Sequence, residues 1–94
     1  MPVRHVVLFR VHDAIPTEDV AAALSALRAL GTFDGLQEWR VELSSDRRRG
    51  RVIVEDAVLR DAEALAAFRA SPQHQAVAQR LSQMSDWLVG DYEQ

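Results

Sequence analysis

Residues Val3–Val11 read VRHVVLFRV, and the reading of this stretch decides the fold. Alternation places Val3, His5, Val7, Phe9 and Val11 on one face and Arg4, Val6, Leu8 and Arg10 on the other. The first face is apolar apart from His5. The second is apolar at its centre and charged at its ends. A strand that is apolar on both sides is covered on both, so the pattern predicts a central strand.

Outward from this strand, Pro16-Thr17-Glu18-Asp19 supplies a proline, a capping hydroxyl and two acids ahead of an Ala/Leu-rich run. Val20, Ala23, Leu24, Leu27 and Leu30 follow helical spacing, and Gly31 is the expected stop. Gly35–Leu43 (GLQEWRVEL) alternates, with Leu36, Glu38, Arg40 and Glu42 opposite Gln37, Trp39, Val41 and Leu43, as an edge strand does. Ser44–Gly50 is a polar hairpin loop, and Arg51–Leu59 a third strand interrupted by Glu55 and Asp56. Asp61 caps a second helix running through Arg69, with Ala64, Leu65 and Phe68 apolar. Ser71-Pro72 breaks it, a third helix runs from about Gln73 to Met84, and Trp87–Tyr92 (WLVGDY) is the last strand. The order β-α-β-β-α(α)-β is the ferredoxin-like α+β plan: a four-stranded antiparallel sheet, two strands central, helices on one face. The apolar centre of the other face, Val6 and Leu8, then predicts cover by a second copy of the chain.

Composition narrows the chemistry. A length of 94 residues predicts one domain over 1–94, with a core small enough to favour association. No apolar run reaches the roughly 20 residues of a membrane span, and no signal-peptide pattern is present, so the expected location is cytoplasmic. There is no cysteine, which removes disulfides, a thiol nucleophile and thiolate-bound zinc. All 11 basic residues are arginine, which removes Schiff-base chemistry on lysine, including the usual attachment of pyridoxal phosphate. The net charge of −3 argues against a nucleic-acid surface. Arg47-Arg48-Arg49 with Arg51 lacks interleaved aromatics and reads as a solvated hairpin tip. The four glycines are isolated, so no phosphate-cradling loop is expected.

Three histidines remain. His74 stands at the start of the third helix, where the dipole favours a neutral ring able to accept a proton near neutral pH. A helix-capping or solvent-facing role is the alternative. His5, between Val3 and Val7 on an apolar face, reads as a satisfied core residue, hydrogen-bonded to backbone. His12 is expected at the surface. Their spacing is not that of a metal site, and none is expected. In the third strand, Glu55 shares the parity of Ile53 and Ala57, towards the helices, so a carboxylate there should be paired. A partner in His5 or His74 makes a His–Glu dyad; an arginine is the other option. Asp56, on the opposite parity, should meet Arg4, Arg10 or a partner's arginine.

Arg4-His5-Val6-Val7-Leu8-Phe9 with Asp13, Gly50 opening the third strand, Ala64-Leu65-Ala66-Ala67-Phe68, Ser71-Pro72-Gln73-His74 and Asp91-Tyr92-Glu93 together resemble the stress-responsive α/β-barrel (Dabb) family, over nearly the whole chain. In that family one segment usually reads Tyr-x-x-His-Pro-x-His. Here Phe68 replaces the tyrosine and Ser71 the first histidine, while Pro72 and His74 stand. Glu55 and Asp56 occupy places that are usually apolar. The resemblance implies a subunit that dimerises sheet to sheet into a dimeric α/β barrel, with a small-molecule pocket between sheet and helices. Among family members similar to plant polyketide cyclases of the olivetolic acid cyclase type, no cofactor is used. A histidine matching His74 acts there as base, with another matching His5 nearby.

The resemblance therefore implies a homodimer that binds a small apolar or aromatic, polyketide-like molecule, and cofactor-independent proton transfer of the cyclase or dehydratase kind. His74 would be the base, with Glu55 or His5 orienting or relaying the proton. Val7, Phe9, Leu24, Leu27, Phe68, Val77 and Trp87 would form the substrate-binding walls, being core residues first. Tyr92 belongs rather to the dimer contact. Two alternatives stand beside this: a non-catalytic stress-responsive ligand-binding barrel, and a cofactor-independent monooxygenase.

Overall fold

Strand β1 (Val3–Val11) has the period-two burial that its alternation predicts: Val3, His5, Val7, Phe9 and Val11 are buried, and Leu8 is exposed between them. A computed structural model describes residues 1–94. β1 is followed by α1 (Thr17–Arg28), which tightens into a 3-10 turn over Ala29–Thr32. β2 (Leu36–Leu43) and β3 (Val52–Leu59) come next, then α2 (Ala62–Ala70), α3 (Pro72–Ser82) and β4 (Ser85–Glu93). The sheet order is β2-β3-β1-β4 with every neighbour antiparallel. β1 is central as its two apolar faces require, and β2 is an edge. This is the ferredoxin-like arrangement.

Register places three layers of side chains on the helix-facing side. Phe9 lies opposite Ile53 and Trp87, Val7 opposite Glu55 and Val89, and His5 opposite Ala57 and Asp91. Val20, Ala23 and Leu27 of α1, Ala64, Leu65 and Phe68 of α2 and Leu81 of α3 close over them. Each fully buried large apolar side chain contributes on the order of 1.5–3 kcal/mol. The opposite sheet face carries Arg4, Val6, Leu8, Val54, Asp56, Leu88 and Tyr92. Leu8 is 43% exposed, Leu88 76% and Tyr92 57%.

Several boundaries depart from the sequence reading. The Thr17 hydroxyl does not cap α1. Pro16 holds the cap position in extended backbone, and its carbonyl accepts from the Asp19 and Val20 amides. Gly31 does not stop the helix in a left-handed turn; it lies inside the 3-10 turn, and its φ is not positive. It is glycine because a Cβ there would stand 2.6 Å from Trp39 Cδ1. A bulge between Leu36 and Glu38 reverses the parity at the start of β2, so Leu36 packs on the same core as Trp39 and Leu43. α3 starts and ends earlier than expected, and β4 gains residues at both ends because it pairs along the whole of β1. Arg51 is not part of a solvated tip. Its Nη2 donates to the carbonyls of His12 (3.0 Å), Asp13 (3.3 Å) and Ile15 (2.7 Å), tying down the β1–α1 loop.

Candidate functional site

A cavity of about 250 Å³ lies between the sheet and the helices α1 and α3. Its apolar walls include Val7, Phe9, Leu27, Val77 and Trp87, all expected there from sequence. Its polar groups are His5, Glu55, Arg69 and His74. Two expected wall residues lie elsewhere. Leu24 is half-buried against the edge of the core, while Leu27 and Leu30, further along the chain, reach the cavity. Phe68 is fully buried in an aromatic cluster, edge-on to Phe33 (5.2 Å), Trp39 (5.5 Å) and the His74 ring (4.7 Å between centroids). It therefore backs His74 instead of facing the cavity.

Strand register assembles the polar cluster. Asp91 is directly across from His5 on β4, and Glu55 is its diagonal neighbour on β3. His5 Nδ1 sits 2.6 Å from Asp91 Oδ1, and Arg69 Nη2 donates to Asp91 Oδ2 at 2.6 Å. A carboxylate only accepts, so Nδ1 carries the hydrogen. On the other side of the ring, Nε2 is 3.1 Å from Glu55 Oε2. That contact is short but off the hydrogen-bond line, and Oε2 has no aligned donor although it is buried. Both His5 and Glu55 are 2% exposed. Asp56, on the open face, meets Arg4 Nη1 at 2.7 Å, one of the partners anticipated for it.

The two histidines are driven in opposite directions. Burial would lower the pKa of His5, but the contacts with Glu55 and Asp91 outweigh it and hold the ring above its ordinary value. His74 is held below its ordinary value, chiefly by burial. Glu55 pulls it up, while the positive charges of His5 and Arg69 push it down. For Asp91, burial acts upward, but the hydrogen bonds from His5 and Arg69 prevail and keep its carboxyl below the usual range. Hence His5, in a chain running Arg69–Asp91–His5–Glu55, is biased towards its protonated form, and His74 at the same cavity towards the neutral imidazole.

Local sequence explains how His74 is held. Ser71 closes α2 and opens α3: its Oγ donates to the Phe68 carbonyl at 2.8 Å and accepts from the His74 amide at 3.2 Å. Pro72 starts the helix. The serine that replaces the histidine usual in this segment thus serves as the N-cap. Asp91 entered the sequence reading only within the Asp91-Tyr92-Glu93 segment and Arg69 only as the end of the second helix, neither with a role in the site. The alternation Trp87, Val89, Asp91 was the available signal for the first; Arg69 reads as an ordinary last-turn helix cation.

The model of the stress-responsive A/B barrel domain, Dabb, matches residues 3–94. The chain belongs to the Dabb family. An uncharacterised protein of Streptomyces coelicolor is 32% identical to this Dabb chain over 97% of its length and 98% of the relative's. Among solved structures, a dimeric ferredoxin-like protein of unknown function from Thermobifida fusca superposes with a TM-score of 0.89 at 21% identity, covering 100% of this chain and 92% of that one. A hydroxynitrile lyase from Passiflora edulis gives 0.83 at 17% identity, over 97% and 91%. SnoaB, a cofactor-independent oxygenase from Streptomyces nogalater, gives 0.78 at 23% identity, over 99% and 92%. At these identities the likeness is one of fold, and the named neighbours carry more than one chemistry.

Proposed function

We propose that this Dabb protein is a homodimer that binds a small apolar or aromatic molecule and catalyses cofactor-independent proton transfer on it, of the cyclase or dehydratase kind. The observation that carries the reading is His74 and the His5–Glu55 pair lining one apolar cavity, with His74 held below and His5 above the ordinary histidine pKa. About 150 Å³ holds benzene, so about 250 Å³ suits one ring with substituents. His74 takes a proton from carbon beside a carbonyl. The positive charges of His5 and Arg69 favour the negative charge that develops, and the apolar walls position the substrate. Fold neighbours that include a lyase and a cofactor-independent oxygenase support such chemistry. Dimerisation through the open sheet face is supported by its exposed Leu8, Leu88 and Tyr92 and by the dimeric neighbours.

Deuterium exchange at the methyl group of acetophenone in D2O, followed by NMR, reads proton abstraction without requiring the natural substrate. The expected result is exchange above the buffer rate that falls about 10²–10⁴-fold in His74→Ala at unchanged Tm. Exchange unaffected by the substitution, or absent in the parent protein, would leave the ligand-binding barrel as the better reading.

A further inference from the structure

We propose that Glu55 makes this cavity selective for neutral, hydroxyl-bearing aromatic molecules, phenols or enols, and closes it to aromatic carboxylates. The inference rests on the cavity being the ligand site argued above, and it concerns binding rather than turnover. Glu55 lines the cavity from the central strand β3, is 2% exposed, and leaves Oε2 without an aligned donor. Its neighbours are already committed. His5 spends Nδ1 on Asp91, its Nε2 approaches Oε2 off-line at 3.1 Å, and Arg69 Nη2 is bound to Asp91. A hydroxyl on a molecule in the cavity can supply the aligned donor that Glu55 lacks. A hydroxyl on an apolar ring supplies it while the ring meets Val7, Phe9, Leu27, Val77 and Trp87.

Charge decides against ionised ligands. Glu55 lies against His5 and Asp91 against Arg69, so each carboxylate already faces one basic group. An incoming carboxylate places acceptor against acceptor and adds an unmatched buried anion; an ammonium adds an unmatched buried cation. A neutral donor leaves the balance intact.

The test is an NMR titration of the full-length protein with four one-ring probes: 4-ethylphenol, ethylbenzene, 4-ethylbenzoate and 4-methylbenzylamine. The phenol should bind about tenfold or more tighter than each of the others, the range expected of a hydrogen bond to a charged group. Glu55→Leu should erase its advantage over ethylbenzene. Glu55→Gln, nearly isosteric and chosen to preserve the fold, should tighten 4-ethylbenzoate about tenfold by removing the like charge. Equal binding of phenol and benzoate, a phenol advantage that survives Glu55→Leu, or continued exclusion of benzoate in Glu55→Gln would each overturn the proposal. A flat ranking with His74-dependent exchange retained removes this inference alone. Loss of exchange with the ranking intact removes only the catalytic reading, and no binding by any probe removes both.

Discussion

Burial pushes any histidine towards its neutral form, yet only one of the two cavity histidines yields to it. His74 yields, while two carboxylates raise His5 above its ordinary value. The consequences for stability have opposite signs. A folded pKa above the unfolded value stabilises the fold at low pH, and that contribution is lost as pH rises through the raised value. The depressed His74 gives stability that is present above its unfolded pKa and lost as pH falls. In the parent protein the two oppose each other around the ordinary histidine range. His74→Gln should therefore leave a Tm that falls as pH rises through that range, and His5→Gln one that increases; thermal melts from pH 5 to 8 read both slopes. The direction for His74 was anticipated from its place at a helix start, although burial is its main cause; that for His5 was not legible, because it depends on neighbours supplied by other strands. Glu55 illustrates the division: its side of the strand followed from alternation, its contact with His5 only from register.

At the scale of elements, the helices and strands were legible because apolar periodicity and the Asp61 cap are local properties, and Asp61 Oδ1 does accept from the Ala64 amide at 2.8 Å. The errors fell where a distant residue sets a local choice. Gly31 is the clearest: it reads as a helix stop, yet its function is to let Trp39 on β2 approach. Gly31→Ala should consequently destabilise the protein by about 1–3 kcal/mol through overpacking, instead of stabilising a helical turn. Urea denaturation measures the difference, and a neutral or positive effect would refute the steric account. The β2 bulge is a second case, since nothing local in Leu36-Gln37-Glu38 marks an extra residue opposite β3.

The whole molecule has a sheet covered by helices on one side only. Its open side combines exposed Leu8, Leu88 and Tyr92 with the Arg4–Asp56 and Arg4–Glu38 ion pairs. Exposed ion pairs of this kind are screened by solvent, so they shape the face more than they stabilise it. Native mass spectrometry at micromolar concentration should find twice the 10.5 kDa chain mass. Leu88→Glu, which buries a charge in the proposed contact, should shift the species to one chain with an unchanged far-UV circular dichroism spectrum. A single-chain parent would contradict the homodimer.

The sequence by itself determined the order of elements, the central position of β1, the two faces of the sheet and the side of the sheet on which His5 and Glu55 lie. Those properties follow from periodicity and from the stereochemistry of a single segment. Only the tertiary structure decided that Asp91 and Arg69 complete the chain behind His5, that Phe68 supports His74 without lining the cavity, and that Glu55 Oε2 lacks an aligned donor. These depend on strand register and on the approach of α2 and α3, which bring together residues up to 86 positions apart along the chain and therefore leave no local trace in it.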